Sequence, residues 1–322
     1  MLSIFNKKST LVILFVHIPK TAGTSFRNAL DKILHLLCDY GYENPVTSSE
    51  LQAYIYEDND VFKFKKWHQL KNKFSICGHL KLAKYLDFVD IKNTMSFVRE
   101  PLEQVVSHYN HHIKNSNLDC SIQDFIELPQ FRNIQSRLLL DLPITLVGFI
   151  GVTERYDESL AMIKTFYKLD IKALIDNRNT SPILHSSKLD DLTKKKIQAL
   201  NSADNQLYQA AVDLFDKKIE FLKNFEHDCW VYSHIVIDKN NLLQSCAYSH
   251  GNSGVAVTYK LFIGGEFIKE VKAEQFYGAF PKANFPRGRY IGFYLQLSNY
   301  PKGTEIKLKV VQTGQVTFEG VC

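Results

Sequence analysis

The stretch Leu14–Phe26, LFVHIPKTAGTSF, constrains the fold more than any other part of the sequence. An apolar run typical of a buried strand ends at Ile18, and a helical pattern begins near Thr24 or Ser25. Four residues follow the proline of the turn between them: Lys20, Thr21, Ala22 and Gly23. The pattern therefore predicts a strand that leads through a tight turn into a helix.

Such a turn is suited to binding an anion. The N–H groups at the start of a helix point outward and carry partial positive charge, and Gly23 lets the backbone approach a ligand closely. Lys20 adds a full charge, and Thr24 and Ser25 add hydroxyl donors. The turn is not a usual P-loop, since no Gly-Lys-Ser/Thr ends it. An alternative is a capped helix start beside a solvated lysine.

The first two-thirds of the chain alternates apolar runs with helical patterns. A helix is predicted from Ser25 to about Leu37, a strand in the KFSICGH run that ends at His79, and late helices over Lys188–Leu200 and Ala203–Asn224. This alternation predicts an α/β fold with a parallel sheet flanked by helices. Ligands bind beyond the carboxyl ends of the strands of such sheets.

The pattern changes after about Phe225. Helical periodicity ends, and short alternating runs are separated by turns such as Gly264-Gly265. We predict an α/β domain over residues 1–228 and an all-β, sandwich-like domain over residues 229–322.

Composition excludes several functional classes. The net charge of +5 is too small to indicate nucleic-acid binding. The run Leu11–Val16 is too short to span a membrane, so we expect a soluble chain without stable membrane insertion. Six cysteines without a CxxC pair indicate reduced thiols and a cytoplasmic protein. The sequence does not indicate an oligomeric state.

A second strand–helix junction carries Arg99. In P-loop kinases and NTPases, a later strand usually ends in an aspartate that holds Mg²⁺. Arg99 cannot hold a metal, but it can bind a phosphate with two parallel hydrogen bonds. Ser107 follows two helical turns later and can lie on the same face. An alternative is an ion pair of Arg99 with Glu100 or Glu103.

The two junctions together resemble a known family. HIPKTAGTSF is similar to the 5′-phosphosulfate loop of sulfotransferases, and FVREPLEQVVSHY is similar to their 3′-phosphate-binding segment. The resemblance covers about residues 10–225, includes GFIGVTERYDESL and NSADNQLYQAAVDLF, and is closest to the heparan/uronosyl 2-O-sulfotransferase-like branch and its bacterial relatives. It implies a P-loop-like fold and the donor 3′-phosphoadenosine 5′-phosphosulfate (PAPS). Gln104 departs from the pattern, because relatives often carry arginine there.

The resemblance also implies which residues bind PAPS. They are Lys20, Thr21, Ala22, Gly23, Thr24, Ser25, Arg99, Ser107 and, in a loop near the nucleotide, Arg178 with Asn179. Lys20 would neutralise the leaving phosphate oxygen, and no metal is needed. His108 and His112 share a helical face that could bind a metal, but no third ligand is evident.

The acceptor hydroxyl needs a base, and His79 is the candidate. It follows a short strand and Gly78, so it should share a sheet edge with Lys20 and Arg99. The matching Gly-His supplies the base in the uronosyl enzymes. Alternatives are a helix-capping role for His79, or His17 as the base.

The acceptor is predicted to be a carbohydrate hydroxyl. By resemblance, three residues face its cleft: Arg132, Gln135 and Arg137. An alternative for these residues is surface ion pairing. Two other functions stay open, an ATP-dependent kinase with an atypical P-loop and a non-catalytic glycan-binding protein.

Overall fold

A five-stranded parallel sheet forms the first part of the molecule. The computed structural model describes residues 11–69, 73–87, 89–115, 119–172 and 183–322. The sheet has the order β2-β3-β1-β4-β5, and every neighbouring pair is parallel. Its strands are β1 (Leu11–Val16), β2 (His35–Asp39), β3 (Lys73–Gly78), β4 (Thr94–Val98) and β5 (Phe149–Val152). Central strands such as β1 and β4 are almost completely buried, as expected of a parallel sheet with helices on its faces.

The described residues form nine α-helices. They are α1 (Gly23–Asp31), α2 (Ser49–Leu51, continued by a π-helix over Gln52–Glu57), α3 (Val61–Gln69), α4 (Pro101–Asn115), α5 (Ile122–Glu127), α6 (Ile134–Leu139), α7 (Tyr156–Tyr167), α8 (Asp191–Leu200) and α9 (Ser202–Asn224). No helix of the described ranges is long and apolar enough to cross a membrane.

The first helix is shorter than the sequence predicts. It ends at Asp31 rather than near Leu37, and residues His35–Asp39 form β2 instead. A short apolar run such as HLLC fits either a helix or a strand. Pairing with β3 decides between them, because β2 supplies an edge strand whose Leu37 is fully buried.

The sheet brings three loops to one edge. The strands β1, β3 and β4 are parallel neighbours, so their carboxyl ends lie together. Lys20, His79 and Arg99 each follow one of these ends. The fold therefore assembles the predicted residues at the edge where ligands of α/β sheets bind.

Two four-stranded antiparallel sheets form the C-terminal part, as predicted. The inner sheet has the order β10-β11-β7-β6 and the outer sheet β13-β12-β8-β9. The strands are β6 (Val231–Ile237), β7 (Leu242–Ser249), β8 (Thr258–Ile263), β9 (Glu266–Lys272), β10 (Gln275–Phe276), β11 (Tyr290–Gln296), β12 (Glu305–Val310) and β13 (Val316–Val321). The predicted division at 228/229 falls between α9 and β6. Separate folding of the two parts stays a prediction.

The inner sheet contributes buried residues from both of its faces. One face contributes Leu243 and Phe293 to the core of the sandwich. The other contributes Tyr232 and Tyr248 to the core around the parallel sheet. The Tyr232 hydroxyl donates to the carbonyl oxygen of Gly148 at 2.9 Å, and the Tyr248 hydroxyl donates to that of Leu146 at 3.0 Å. Apolar packing and buried hydrogen bonds thus hold the sandwich against the α/β part.

A buried lysine lies at this junction. Lys218 of α9 is 3% exposed, and its ammonium donates to the Gly148 carbonyl oxygen at 3.0 Å. Four aromatic rings lie 5.1–5.7 Å from its nitrogen: Phe149, Phe166, Trp230 and Tyr232. The ring faces favour the charged form, whereas burial lowers the pKa of Lys218 to about 7.

The pKa of Lys218 makes stability depend on pH. Because the folded-state pKa is below the ordinary value of 10.5, folding is penalised below pH 7 and stability rises between pH 7 and 10.5. Lys218→Met should remove this rise, which amounts to about 3 kcal/mol between pH 7 and pH 9.5 at about 1.4 kcal/mol per pKa unit. Urea unfolding at the two pH values measures it.

The exposed neighbour Lys217 provides the matched control, Lys217→Met. An equal pH slope in Lys218→Met, Lys217→Met and the unsubstituted protein would mean that Lys218 keeps its charge among the rings.

Candidate active site

The turn after β1 has an unusual backbone. Lys20 and Ala22 adopt left-handed conformations, with φ of 68° and 63°. Each costs about 1–2 kcal/mol for a residue with a side chain. Strain of this kind concentrates at functional sites. Ala22 precedes α1 and supplies no side-chain cap, so the turn itself directs the first N–H groups of the helix outward.

Most hydrogen-bond donors of this turn have no acceptor within the described residues. The backbone N–H groups of residues 21–25 make no hydrogen bond there, and neither do the hydroxyls of Thr24 and Ser25. The Thr21 hydroxyl differs, because it donates to the Ile18 carbonyl oxygen at 3.0 Å and is fully buried. Thr21 thus closes the turn with its side chain, while the remaining donors form a cradle for an anion.

Gly23 is required by a close contact. A β-carbon at this position would lie 2.0 Å from Cδ2 of His17. The His17 ring therefore packs directly on the start of α1. Its Nδ1 is 2.7 Å from the Tyr40 hydroxyl, which also accepts from Arg27 at 3.2 Å. Burial, with nearby positive charge, lowers the pKa of His17 to about 3, so the ring is neutral.

Arg99 joins the two predicted anion sites. Its Nη1 donates to the carbonyl oxygen of Lys20 at 3.2 Å. Its Nη2 lies 3.7 Å from Oε2 of Glu103, so the alternative ion pair is present as a longer contact. Burial lowers the pKa of Lys20, and the charge of Arg99 lowers it further. Two cations held this close are suited to a shared anionic ligand.

Gln135 holds the backbone of Arg99. The Arg99 N–H donates to Oε1 of Gln135 and Nε2 of Gln135 donates to the Arg99 carbonyl oxygen, both at 2.9 Å. Gln135 is fully buried, and Asp204 anchors its helix by accepting from the N–H groups of Gln135 and Ser136 at 3.1 and 2.7 Å. The predicted contact of Gln135 with the acceptor stays a prediction. This positioning contact was not anticipated, because no local pattern links residue 135 to residue 99.

Gln104 also has a structural contact. It is 1% exposed, and Nε2 donates to the Pro19 carbonyl oxygen at 3.0 Å, which ties α4 to the turn. One helical turn further, Ser107 is half-buried and its hydroxyl makes no hydrogen bond to the described residues. The hydroxyl is thus available to a ligand, as the predicted 3′-phosphate contact requires.

His79 lies beside the turn, in contact with His17. The ring centroids of His79 are 4.7 Å from that of His17 and 4.8 Å from that of Tyr40. His79 keeps an accessible face, yet the surrounding protein desolvates it. This desolvation, with the charges of Arg27 and His111, lowers its pKa to about 4. At neutral pH the imidazole is uncharged and able to accept a proton.

The histidines of α4 pair with each other. Nε2 of His112 is 3.1 Å from Nε2 of His108, and both rings contact Phe131. Within the described residues, no group of three or more His, Cys, Asp or Glu side chains is arranged to hold a metal.

The other predicted residues lie at different places. Arg132 donates to the carbonyl oxygens of Ile126 and Glu127, and Arg137 donates to that of Gln130 at 3.1 Å. Their guanidinium groups are thus engaged near the end of α5. Arg178 and Asn179 lie outside the described residues.

The chain is similar to known sulfotransferases. Residues 4–139 match the model of a sulfotransferase family. A heparan-sulfate 6-O-sulfotransferase 2 from Gallus gallus is 23% identical over 299 residues, covering 69% of this chain and 71% of that protein.

Two solved structures are also similar. A sulfotransferase from Alicyclobacillus acidocaldarius has a TM-score of 0.37 at 10% identity, covering 64% of this chain and 97% of its own. A mouse sulfotransferase complexed with PAP (adenosine 3′,5′-bisphosphate) has a TM-score of 0.32 at 15% identity. The match covers 60% of this chain and 65% of the mouse chain.

These comparisons show similarity to enzymes of sulfuryl transfer, with the family model matching less than half of this chain. The matched residues include both anion-binding junctions and His79. The 2-O-like branch within the family stays a prediction.

Gln135→Leu tests how Arg99 is held. Removing the amide leaves the Arg99 N–H and carbonyl groups without partners, which should lower the free energy of unfolding by about 1–3 kcal/mol. Because Arg99 then loses its position, adenosine 3′,5′-bisphosphate (PAP) should bind about tenfold more weakly, as a loss of about 1.4 kcal/mol gives. Urea unfolding and calorimetric titration measure the two effects. Gln130→Leu, at an exposed position, is the control, and equal PAP affinity in both variants would contradict this role.

Proposed function

We propose that this enzyme transfers a sulfuryl group from PAPS to a hydroxyl group of a carbohydrate acceptor. The observation that carries the proposal is the turn after β1. Its N–H groups lack acceptors in the described part of the chain, and Arg99 is bonded to the carbonyl oxygen of Lys20 in the same turn. A single ligand with two separated anionic groups matches these donors.

On the donor side, the turn would hold the 5′-phosphosulfate. The N–H groups of residues 21–25 and the hydroxyls of Thr24 and Ser25 supply the hydrogen bonds. Arg99 and the hydroxyl of Ser107, which has no hydrogen-bond partner among the described residues, would bind the 3′-phosphate. Lys20 neutralises charge that develops on the phosphate oxygen when the bond from sulfur to that bridging oxygen breaks.

On the acceptor side, His79 accepts the proton of the attacking hydroxyl. A new bond forms between the acceptor oxygen and sulfur while the bond between sulfur and the bridging phosphate oxygen breaks. The proton of the acceptor hydroxyl moves to the imidazole of His79. The neutral state of His79 and its contact with the His17 ring, which packs on the turn, support this role. Transfer of this type depends mainly on positioning and charge stabilisation.

The carbohydrate acceptor is inferred from the need for a hydroxyl that His79 can deprotonate and from the name of a similar protein. The curated relative is named as a heparan-sulfate sulfotransferase, which supports a glycan acceptor for this chain. The predicted cytoplasmic location stays a prediction.

Lys20→Ala tests the donor side. Loss of the ammonium should lower kcat by about 10²–10³-fold, the usual cost of removing one group that stabilises developing charge. Transfer of sulfate from PAPS to a glycan panel measures kcat.

Lys195→Ala, at an exposed position on α8, is the control and should have full activity. Unchanged kcat in Lys20→Ala would contradict its role. Thermal stabilisation of the unsubstituted protein by ATP with Mg²⁺, and not by PAP, would instead favour the kinase. Glycan binding without either nucleotide effect would favour a binding protein.

His79→Gln tests the base. A base must be unprotonated, and a pKa of about 4 places the acid limb of kcat/KM near pH 4 rather than near 6.5. In the variant, the acid limb should disappear from the pH profile and kcat should fall by about 10²–10⁴-fold. The pH profile of kcat/KM measures both effects, with folding checked by circular dichroism at each pH.

The exposed His35 provides the control His35→Gln. An acid limb that persists in His79→Gln would exclude His79 as its source.

A further inference from the structure

A pocket of about 410 Å³ opens beside His79. This volume is within the range of about 300–1,000 Å³ usual for small-molecule sites. Most of its lining comes from residues 39–84, which follow β2 and β3. One lining residue, Lys282, belongs instead to the C-terminal β part. Two parts of the chain therefore form the surface next to the proposed base.

The pocket carries an excess of positive charge. Its lining includes Lys81, Lys84 and Lys282, against one carboxylate, Asp39. Lys84 is engaged, because its ammonium donates to Oδ2 of Asp39 at 2.6 Å.

Asp39 is compensated within the wall of the pocket. The hydroxyls of Tyr56 and Tyr85 also donate to it, at 2.6 and 2.7 Å. Burial alone would raise the pKa of Asp39, but the hydrogen bonds from Lys84 and these tyrosines hold it below its usual value. Within the described residues, no carboxylate lies within 4.0 Å of the ammonium groups of Lys81 or Lys282. Two lysines thus line the pocket without a carboxylate partner in the part of the chain that the structure describes.

The segment that carries Lys282 is held by Arg289. The guanidinium donates to the carbonyl oxygens of Tyr277 at 3.0 Å, Ala283 at 2.8 Å and Phe280 at 3.2 Å, and also to that of Ala279. Arg289 is itself left-handed, with a φ of 74°. A strained residue with this many contacts indicates a loop whose shape is specified.

The same segment is attached to the α/β part. The Asn284 N–H donates to the Leu86 carbonyl oxygen at 2.9 Å, and its Nδ2 donates to Oδ1 of Asp90 at 3.2 Å. The Ile91 N–H donates back to the Asn284 carbonyl oxygen at 3.4 Å. Lys282 lies two residues from this attachment, so its backbone is held at the rim of the pocket.

We propose that residues 277–285 complete the acceptor site and that Lys282 binds a carboxylate of the acceptor. This inference rests on the proposed function, because it places the acceptor next to His79. Uronic acid units give a sugar chain carboxylates that do not depend on sulfation, and a carboxylate is a suitable partner for an ammonium group. A uronic acid unit near the reacting hydroxyl would pair with Lys282 and Lys81. Arg289 acts as a positioning residue for Lys282.

Binding of a matched pair of oligosaccharides tests the inference without requiring catalysis. The first is a hexasaccharide of alternating glucuronic acid and N-acetylglucosamine, and the second is the same chain with its carboxyl groups reduced to alcohols. Calorimetric titration into the full chain saturated with PAP gives the dissociation constant of each. We compare the unsubstituted protein with Lys282→Glu and with Lys302→Glu, an exposed lysine of the β part that does not line the pocket.

The unsubstituted protein and Lys302→Glu should prefer the carboxylated chain. Lys282→Glu should weaken binding of that chain by about fivefold or more, since it replaces an exposed pair worth up to about 1 kcal/mol with a repulsion. Binding of the reduced chain should not change. Equal binding of the two chains by the unsubstituted protein, or equal losses in both lysine variants, would overturn the inference. PAP binding to the unsubstituted protein is measured separately, and its absence would contradict the proposed function and not the role of Lys282.

Arg289→Gln adds a test of positioning. If Arg289 acts through Lys282, the substitution weakens binding of the carboxylated chain in the unsubstituted background and has no further effect in Lys282→Glu. Additive losses in the double variant, with unchanged PAP affinity, would show that Arg289 does not act through Lys282.

Discussion

The hydrogen bond from the Arg99 guanidinium to the Lys20 carbonyl oxygen is the contact on which the rest of the site depends. It joins the turn after β1 to the end of β4, so that the two proposed sets of anion-binding groups keep a constant separation. Buried amides support it on either side, with Gln135 on the backbone of Arg99 and Gln104 on the turn. Hydrogen bonds from these uncharged amides therefore offset the free-energy cost of two nearby cations and of a strained backbone.

Neutral histidines separate this cationic turn from the acceptor side. His17 is buried against Gly23, and His79 contacts it from the next strand. Desolvation and surrounding positive charge keep both rings uncharged near neutral pH. The same field that attracts an anionic donor thus also leaves the proposed base ready to accept a proton. A bound anion would raise the pKa of His79 and strengthen it as a base.

The C-terminal sandwich contributes a residue to the pocket beside His79. Its inner sheet contributes buried residues from both faces, and tyrosine hydroxyls donate to carbonyl groups of the α/β part. This attachment explains how a loop about two hundred residues after His79 in the chain is held beside the same pocket. Because that loop is held by Arg289 and Asn284, Lys282 lines the pocket beside His79.

The sequence by itself determined the parallel α/β sheet, the all-β C-terminal part, and the turn with Lys20 and Arg99 at neighbouring strand ends. These features follow from local periodicity and from the rule that parallel strands share an edge. Only the tertiary structure decided that residues 35–39 pair as β2, that Gln135 holds Arg99, and that Lys282 lines the same pocket as His79. Each of these depends on partners far along the chain, and a short apolar run, a glutamine or a lysine carries no local signal of its distant contacts.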